Sequence, residues 1–214
     1  MKNVDFVAKL IDLANNRKTY YALGFVGQII NDVTIVEPSS RLAWYTDDKI
    51  RELLALPDEY YGFDCICMIK AMFWGWTGDK QAKNCGTIVG TNEVMDVNTE
   101  GMLAVCNNIS TDFTTIVPGE YLWMQGHAGI YIGNGQAVEC TFRWNNGVQI
   151  TSVYNIDPDE SMKGRYWTKH AKLPYLTYPN TVPVIPVKTP FKTEQLMFMQ
   201  NIRSRIITLI NKLK

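Results

Sequence analysis

The residue best suited to chemistry in this sequence is Cys65, which follows an aspartate and precedes an apolar run that starts at Ile66. Aspartate is a favoured N-cap, so we predict a buried helix that begins at or just after Asp64, with Cys65 in its first turn. A helix N-terminus favours a thiolate, and its free N–H groups can stabilise an oxyanion; the backbone N–H of Cys65 is the candidate donor. The alternative is a buried cysteine that packs as a small hydrophobe.

A histidine and a glutamate stand on two neighbouring predicted strands. His127 opens HAGIYI, and Glu139 lies in AVECTF, where a buried carboxylate requires a partner. The turn at 133–135 permits two registers. A two-residue loop at Asn134-Gly135 turns His127 away from Glu139, whereas a three-residue loop pairs Gly129 with Glu139 and brings His127 beside it. Only the second register makes a triad, in which the carboxylate orients an imidazole that acts as general base for the thiol.

These residues resemble those of the NlpC-type cysteine peptidases of bacterial and phage cell-wall lysis. The family's Asp-Cys-Ser-Gly corresponds to Asp64-Cys65-Ile66-Cys67, and its His-x-Gly-Ile-Tyr-Ile-Gly-Asn-Gly strand matches residues 127–135 without a mismatch. Its Tyr-x-x-Gly corresponds to Tyr21-Ala22-Leu23-Gly24, and the Trp-Gly-Lys-Leu-Pro-Tyr ending of phage members resembles residues 166–175. The replacement of Ser-Gly by Ile66-Cys67 departs from the family and removes a small-residue contact.

The resemblance implies a papain-like α+β fold in which the nucleophile helix packs on a central antiparallel sheet. It implies Cys65 as nucleophile, His127 as base and Glu139 at the position of a third residue that is often histidine. Tyr21 would line the site and help to polarise the scissile carbonyl, and we group Asp64 with it as a substrate-binding or oxyanion residue. No metal or other cofactor is implied.

The resemblance also implies a function, namely a peptidoglycan hydrolase that cleaves an amide bond of the stem peptide through a cysteine thioester. Cleavage next to D-glutamate is expected, with a cross-bridge bond or the amide to muramic acid as alternatives, and the phage-like features favour an endolysin or a virion-associated lysin. Two other functions stay open: an inactive virion structural or wall-binding protein on the same fold, and a papain-like acyltransferase or thioesterase.

Composition narrows the range of partners. The 214 residues include 21 Lys plus Arg and 21 Asp plus Glu, so no net charge draws the chain to nucleic acid or to an anionic membrane. Charges interrupt residues 1–18, which predicts neither a signal peptide nor an anchor, and no other stretch reaches the roughly 18 apolar residues of a spanning helix. We therefore expect synthesis in the host cytoplasm and action at the bacterial cell wall, after release at lysis or on a virion.

Cysteine count and spacing favour reduced thiols over a structural metal. Five cysteines cannot all pair within one chain, and Cys65 and Cys67 stand closer together than zinc-knuckle ligands do. The second histidine, His170, is interpreted as a surface residue in a loop.

Hydrophobic periodicity predicts the elements that position these residues. We expect one peptidase domain over 1–178, and a proline-spaced linker with an amphipathic helix over 179–214. That helix, at about 192–213, is expected to dock on its own domain, on a partner subunit or on virion proteins, or to bind a membrane surface. Within the domain we predict helices at 4–14, 47–56 and 99–107, irregular segments at 19–40, and an antiparallel meander of strands at 119–124, 127–132, 136–142 and 148–153.

Overall fold

The computed structural model describes residues 1–156 and 158–179, which form the mixed α+β structure that the sequence predicts. Helix α1 (Asn3–Asn16) extends the predicted 4–14 segment at both ends, and it buries Phe6, Leu10 and Leu13 at amphipathic spacing. The predicted linker and helix of 179–214 lie outside the described residues, apart from Pro179. Within the described part, no helix is long and apolar enough to cross a bilayer.

A small sheet occupies the region that we predicted to be irregular. Its strands are β1 (Thr19–Tyr21), β2 (Val26–Ile29) and β3 (Tyr61–Phe63), with β3 in the centre, parallel to β1 and antiparallel to β2. The prediction was wrong because strands of three or four residues are too short to show a period, and they are stabilised by pairing about 40 residues away. Helices α2 (Val36–Arg41) and α3 (Asp47–Leu54) connect β2 to β3, and α3 ends before Pro57 as predicted.

Helix α4 (Cys65–Phe73) begins where the sequence predicted. All nine of its residues are buried, and Asp64 caps it by accepting a hydrogen bond from the Cys67 N–H at 2.7 Å. The helix packs against strands β6 (His127–Gly133) and β7 (Gln136–Thr141) of the larger sheet. The expected placement of the helix that begins at Cys65 on the antiparallel strands of a sheet is therefore confirmed.

Among the described residues the larger sheet has seven strands, in the order β4-β10-β5-β6-β7-β8-β9, and its central part, β5 to β8, is the predicted antiparallel meander. Helix α5 (Thr99–Val105) precedes it and confirms the predicted helix at 99–107. The strands are β4 (Asn107–Ser110), β5 (Tyr121–Met124), β6 (His127–Gly133), β7 (Gln136–Thr141), β8 (Gly147–Val153), β9 (Gly164–Arg165) and β10 (Lys169–Lys172), and two short 3-10 turns lie at Lys83–Gly86 and Phe113–Thr115.

The β6–β7 hairpin has the register that places His127 beside Glu139, but its loop differs from the predicted one. Gly129 pairs with Glu139, as the three-residue loop required, yet Gly133 pairs with Gln136, which leaves a two-residue loop at Asn134-Gly135. Both loop residues have positive φ, 51° and 68°, as a type I′ turn demands. A register shift between Tyr131 and Gly133 reconciles the two pairings. The predicted register is thus correct, but a β-bulge produces it instead of a longer loop.

His170 is not the surface loop residue that we predicted. It lies in β10 with 2% of its surface exposed, its Nδ1 is 2.5 Å from Glu120 Oε2, and its Nε2 is 3.0 Å from the Asp112 carbonyl oxygen. The surrounding lysines and proline suggested exposure, but β10 pairs with a strand on each side, β4 and β5, and the histidine is buried against a carboxylate 50 residues away in sequence. Burial raises the pKa of the Glu120 carboxyl, and the hydrogen bond to His170 opposes that rise without offsetting it.

Candidate active site

The capping residue of α4 connects this helix to the loop after β1. While Asp64 Oδ1 accepts from the Cys67 N–H, Oδ2 accepts from the Gly24 N–H at 2.8 Å. The carboxylate is therefore an acceptor on both oxygens, and it joins the two segments that carry Asp-Cys and Tyr-x-x-Gly. A carboxylate has no proton to donate to an oxyanion, so Asp64 is not suited to be an oxyanion donor. Its two accepted hydrogen bonds instead hold the segments of Cys65 and Tyr21 in place.

Cys65 lies in the first turn of α4 with 6% of its surface exposed. Burial, followed by the neighbouring Asp64 carboxylate, raises the pKa of the thiol to about 12. Backbone N–H groups of Ala128, Ile66 and Cys65 itself face the sulfur and oppose that rise without offsetting it. The helix end was expected to favour a thiolate, but desolvation exceeds its effect, and the resting thiol is protonated at neutral pH.

His127, at the start of β6, is held by Glu139 on β7. The imidazole Nε2 lies 2.6 Å from Glu139 Oε2, and the histidine side chain is 14% exposed while the glutamate is fully buried. A carboxylate accepts hydrogen bonds, so Nε2 carries the hydrogen and Nδ1 is the basic nitrogen of a neutral ring. Within the described part of the chain, Nδ1 has no hydrogen-bond partner. This is the arrangement that a general base requires.

Glu139 has two further partners that the sequence did not single out. The Thr151 hydroxyl donates to Oε1 at 2.7 Å, and the Arg165 Nε donates to the same oxygen at 3.1 Å. Arg165 Nη2 is 2.6 Å from Oε2, although its alignment is too poor for a hydrogen bond. Besides the imidazole, a hydroxyl and a cation, both of them donors, therefore stabilise the ionised carboxylate away from water.

An indole covers the histidine and the arginine. The Trp167 ring stacks on the His127 imidazole with centroids 5.6 Å apart and planes 15° apart. Gly129 makes room for it, since a Cβ on that residue would lie 2.9 Å from the indole. The Trp167 cover restricts the imidazole orientation and excludes water from its contact with Glu139.

Tyr21 ends β1 beside Cys65. Its ring meets Trp44 and Phe142 edge-on, at centroid distances of 5.9 and 5.4 Å. The pKa of its phenol is raised, first by burial and then by the adjacent Cys65. A neutral hydroxyl close to the thiol is available as a donor, which is the part that the sequence resemblance implies for it.

The structure brings some predicted residues into contact and leaves others only adjacent. Glu139 contacts His127 directly, and Asp64 contacts the segments around Cys65 and Tyr21. No hydrogen bond joins the Cys65 thiol to the imidazole among the described residues; the sulfur instead faces the N–H of Ala128, the residue after His127. Attack would require the imidazole to close on the sulfur, which is common for catalytic hydrogen bonds seen without substrate.

Three residues of the site escaped the sequence analysis: Thr151, Arg165 and Trp167. The buried carboxylate in AVECTF required partners but did not say which ones, and the family resemblance covered Trp167, within residues 166–175, without giving it a role.

All five cysteines lie in the described residues, buried and not disulfide-bonded. Over the same residues, no cluster of three or more His, Cys, Asp or Glu side chains is arranged to hold a metal ion.

Comparisons with known proteins give distant similarity in structure alone. The sequence matches no protein-family model and no curated protein. Solved structures that are similar include NlpC1 from Trichomonas vaginalis, with 16% identity and a TM-score of 0.38, and NlpC2 from the same organism, with 14% identity and a TM-score of 0.37. Each alignment covers 78% of this chain, but only 45% of NlpC1 and 48% of NlpC2, so this chain spans less than half of their length.

Proposed function

We propose that the chain is a cysteine peptidase or amidase that cleaves an amide bond in the peptide part of peptidoglycan. The observation that carries the proposal is the His127 imidazole, oriented by the buried Glu139 beside the capped end of the helix that bears Cys65. The choice of substrate rests on the sequence resemblance. We place the catalytic domain in residues 1–178, with a papain-like arrangement of helix and sheet, and action at the bacterial wall as an endolysin or a virion-associated lysin.

The first half of the reaction makes a thioester. Because the pKa of the Cys65 thiol is raised, His127 Nδ1 takes the thiol proton as the sulfur attacks the amide carbonyl carbon. The backbone N–H of Cys65 and the Tyr21 hydroxyl donate to the oxyanion. When the C–N bond breaks, the imidazolium gives its proton to the leaving amine, and the acyl group remains on sulfur.

The second half hydrolyses the thioester and regenerates the free enzyme. His127 takes a proton from water, the resulting hydroxide equivalent attacks the thioester carbonyl, and the sulfur leaves and recovers the proton as a thiol. In each half Glu139 stabilises the imidazolium that forms on His127. The products are a free amine and a free carboxylate, and no redox partner is required.

Digestion of purified peptidoglycan, followed by mass spectrometry of the released fragments, tests the proposal. We expect new amine and carboxylate ends with the wild type and with Cys67→Ala, and loss of at least about 10³-fold in rate with Cys65→Ala. Cys67 is the matched control because it is equally buried on the same helix. Release of no fragments by the wild type, from walls of several peptide chemistries, would favour an inactive wall-binding protein. Transfer of the acyl group to an added amine in place of water would favour an acyltransferase.

A further inference from the structure

The Arg165 guanidinium is held in a defined position in the site, yet no step of the proposed reaction uses it. It extends from β9, which pairs in parallel with β8, and its side chain is 11% exposed. The guanidinium carbon lies 5.1 Å from the Trp144 ring centroid and 5.5 Å from that of Trp167. Held by two indoles and bonded to Glu139, the cation has one defined position.

The charge of Arg165 affects the protonation state of His127, and the proposed reaction requires a neutral His127. With a protonated thiol in the resting enzyme, His127 must be neutral to accept the Cys65 proton. A buried carboxylate next to an imidazole favours the imidazolium, and a fixed cation on that carboxylate opposes it. The wild-type cluster of Arg165, Glu139 and neutral His127 has no net charge, so it is stable in a site that excludes water.

We propose that Arg165 is a positioning residue that balances the charge of Glu139, so that Glu139 orients His127 without holding a proton on it. This inference rests on the proposed function and deepens it, because it names what sets the pH at which the site is competent. The groups on the surrounding elements that titrate or carry charge are Glu139 on β7, which contacts His127, and Arg165 on β9, which contacts Glu139. Two others lie against the neighbours of His127 in the chain: Glu100 accepts from the Gly126 N–H, and the Cys65 sulfur on α4 faces the Ala128 N–H.

Two substitutions separate the charge of Arg165 from its hydrogen bond. Arg165→Gln keeps a donor for Glu139 and removes the cation, whereas Thr151→Val removes a neutral donor and keeps the cation. Without the cation, release of the proton shared by His127 and Glu139 leaves a net negative charge in a buried site. The pair should therefore release that proton at a pH higher by about one unit or more in Arg165→Gln, and by clearly less in Thr151→Val.

The measurement is an NMR titration of ¹⁵N-labelled histidine in the full chain. The chain has two histidines, and a spectrum of His127→Gln identifies the signals of the other. Arg165→Lys should restore the wild-type titration to within about 0.3 pH unit, because it restores the charge. Arg51→Met is the matched control, since Arg51 is exposed and, among the residues that the structure describes, pairs only with Asp48 on α3. If Arg165→Gln does not fold, Arg165→Met removes the charge and keeps an apolar stem between the two indoles.

The titration requires no turnover, so its result is independent of the proposed activity. An upward shift in Arg165→Gln that Arg165→Lys reverses supports the inference, even if no wall is cleaved. Equal titration in Arg165→Gln and Arg51→Met overturns it, even if the wild type cleaves peptidoglycan. In an active enzyme the acid limb of kcat/KM should move upward with the same variants, and a merely structural role would lower the rate without moving that limb.

Discussion

The Cys65 thiol should be alkylated slowly at neutral pH, with a rate that follows pH. Burial and the Asp64 carboxylate raise its pKa to about 12. At pH 7 roughly 10⁻⁵ of such a thiol is ionised, compared with about 3% of an exposed cysteine whose pKa is about 8.5, a difference of roughly 10³-fold. The rate should rise about tenfold for each pH unit between pH 7 and pH 10, since the thiolate is the reacting species.

The assay is a time course of iodoacetamide labelling, quantified by mass spectrometry of the peptide that contains Cys65. The Cys67→Ala background leaves a single thiol in that peptide, and glutathione in the same tube serves as the exposed reference. The slope against pH is the main readout, because limited access to a buried sulfur lowers the absolute rate at every pH. His127→Gln should show the same slope, because a neutral imidazole does not ionise the resting thiol.

Fast labelling of Cys65 at a rate that does not change with pH would contradict a protonated resting thiol. If labelling of Cys65 between pH 6 and pH 8 is constant and within about tenfold of glutathione at pH 7, the resting site holds a thiolate–imidazolium ion pair. Loss of that reactivity in His127→Gln would locate the stabilising charge on the histidine. The neutral starting state, and the role of Arg165 derived from it, would then both be wrong.

Three further predictions concern the framework of the site. Asp64→Ala removes the cap of α4 and the bond to Gly24, and it should lower the free energy of unfolding in urea by about 2–4 kcal/mol. Gly129→Ala should displace the Trp167 indole, which a Cβ would approach to 2.9 Å; we expect a loss of about 1–3 kcal/mol and altered tryptophan fluorescence. Stability should fall as pH rises above about 8.5, because the raised pKa of buried Cys65 means that the unfolded chain releases that proton first, and pH-dependent thermal unfolding would measure the decline.

Local chemistry accounts for the parts of the fold that were predictable. A capping aspartate before an apolar run defined α4, and alternating strands with glycine turns defined the meander. Both signals lie within about ten residues of the element that they specify. The short β1–β3–β2 sheet and the burial of His170 were missed because distant pairing, not local pattern, determines them.

The site shows the same division between local and distant determinants. Cys65 and His127 could be singled out from their neighbours in sequence, and the need of Glu139 for a partner followed from its apolar strand. That one of the partners of Glu139 is Arg165, 26 residues further on, depends on how β9 joins the sheet. The pKa of Cys65 was misjudged since burial depth is a property of the folded site and exceeded the effect of the helix end.

Capture of an acyl group on Cys65 tests the central claim most directly. The full chain is mixed with a peptidoglycan stem peptide, quenched in acid and analysed as intact protein and as peptides. We predict a mass increase equal to the acyl fragment, located on the peptide that contains Cys65, present in Cys67→Ala and absent in Cys65→Ala. Cleavage without any adduct, at the same rate in Cys65→Ala as in the wild type, would contradict the claim that this sulfur is the nucleophile.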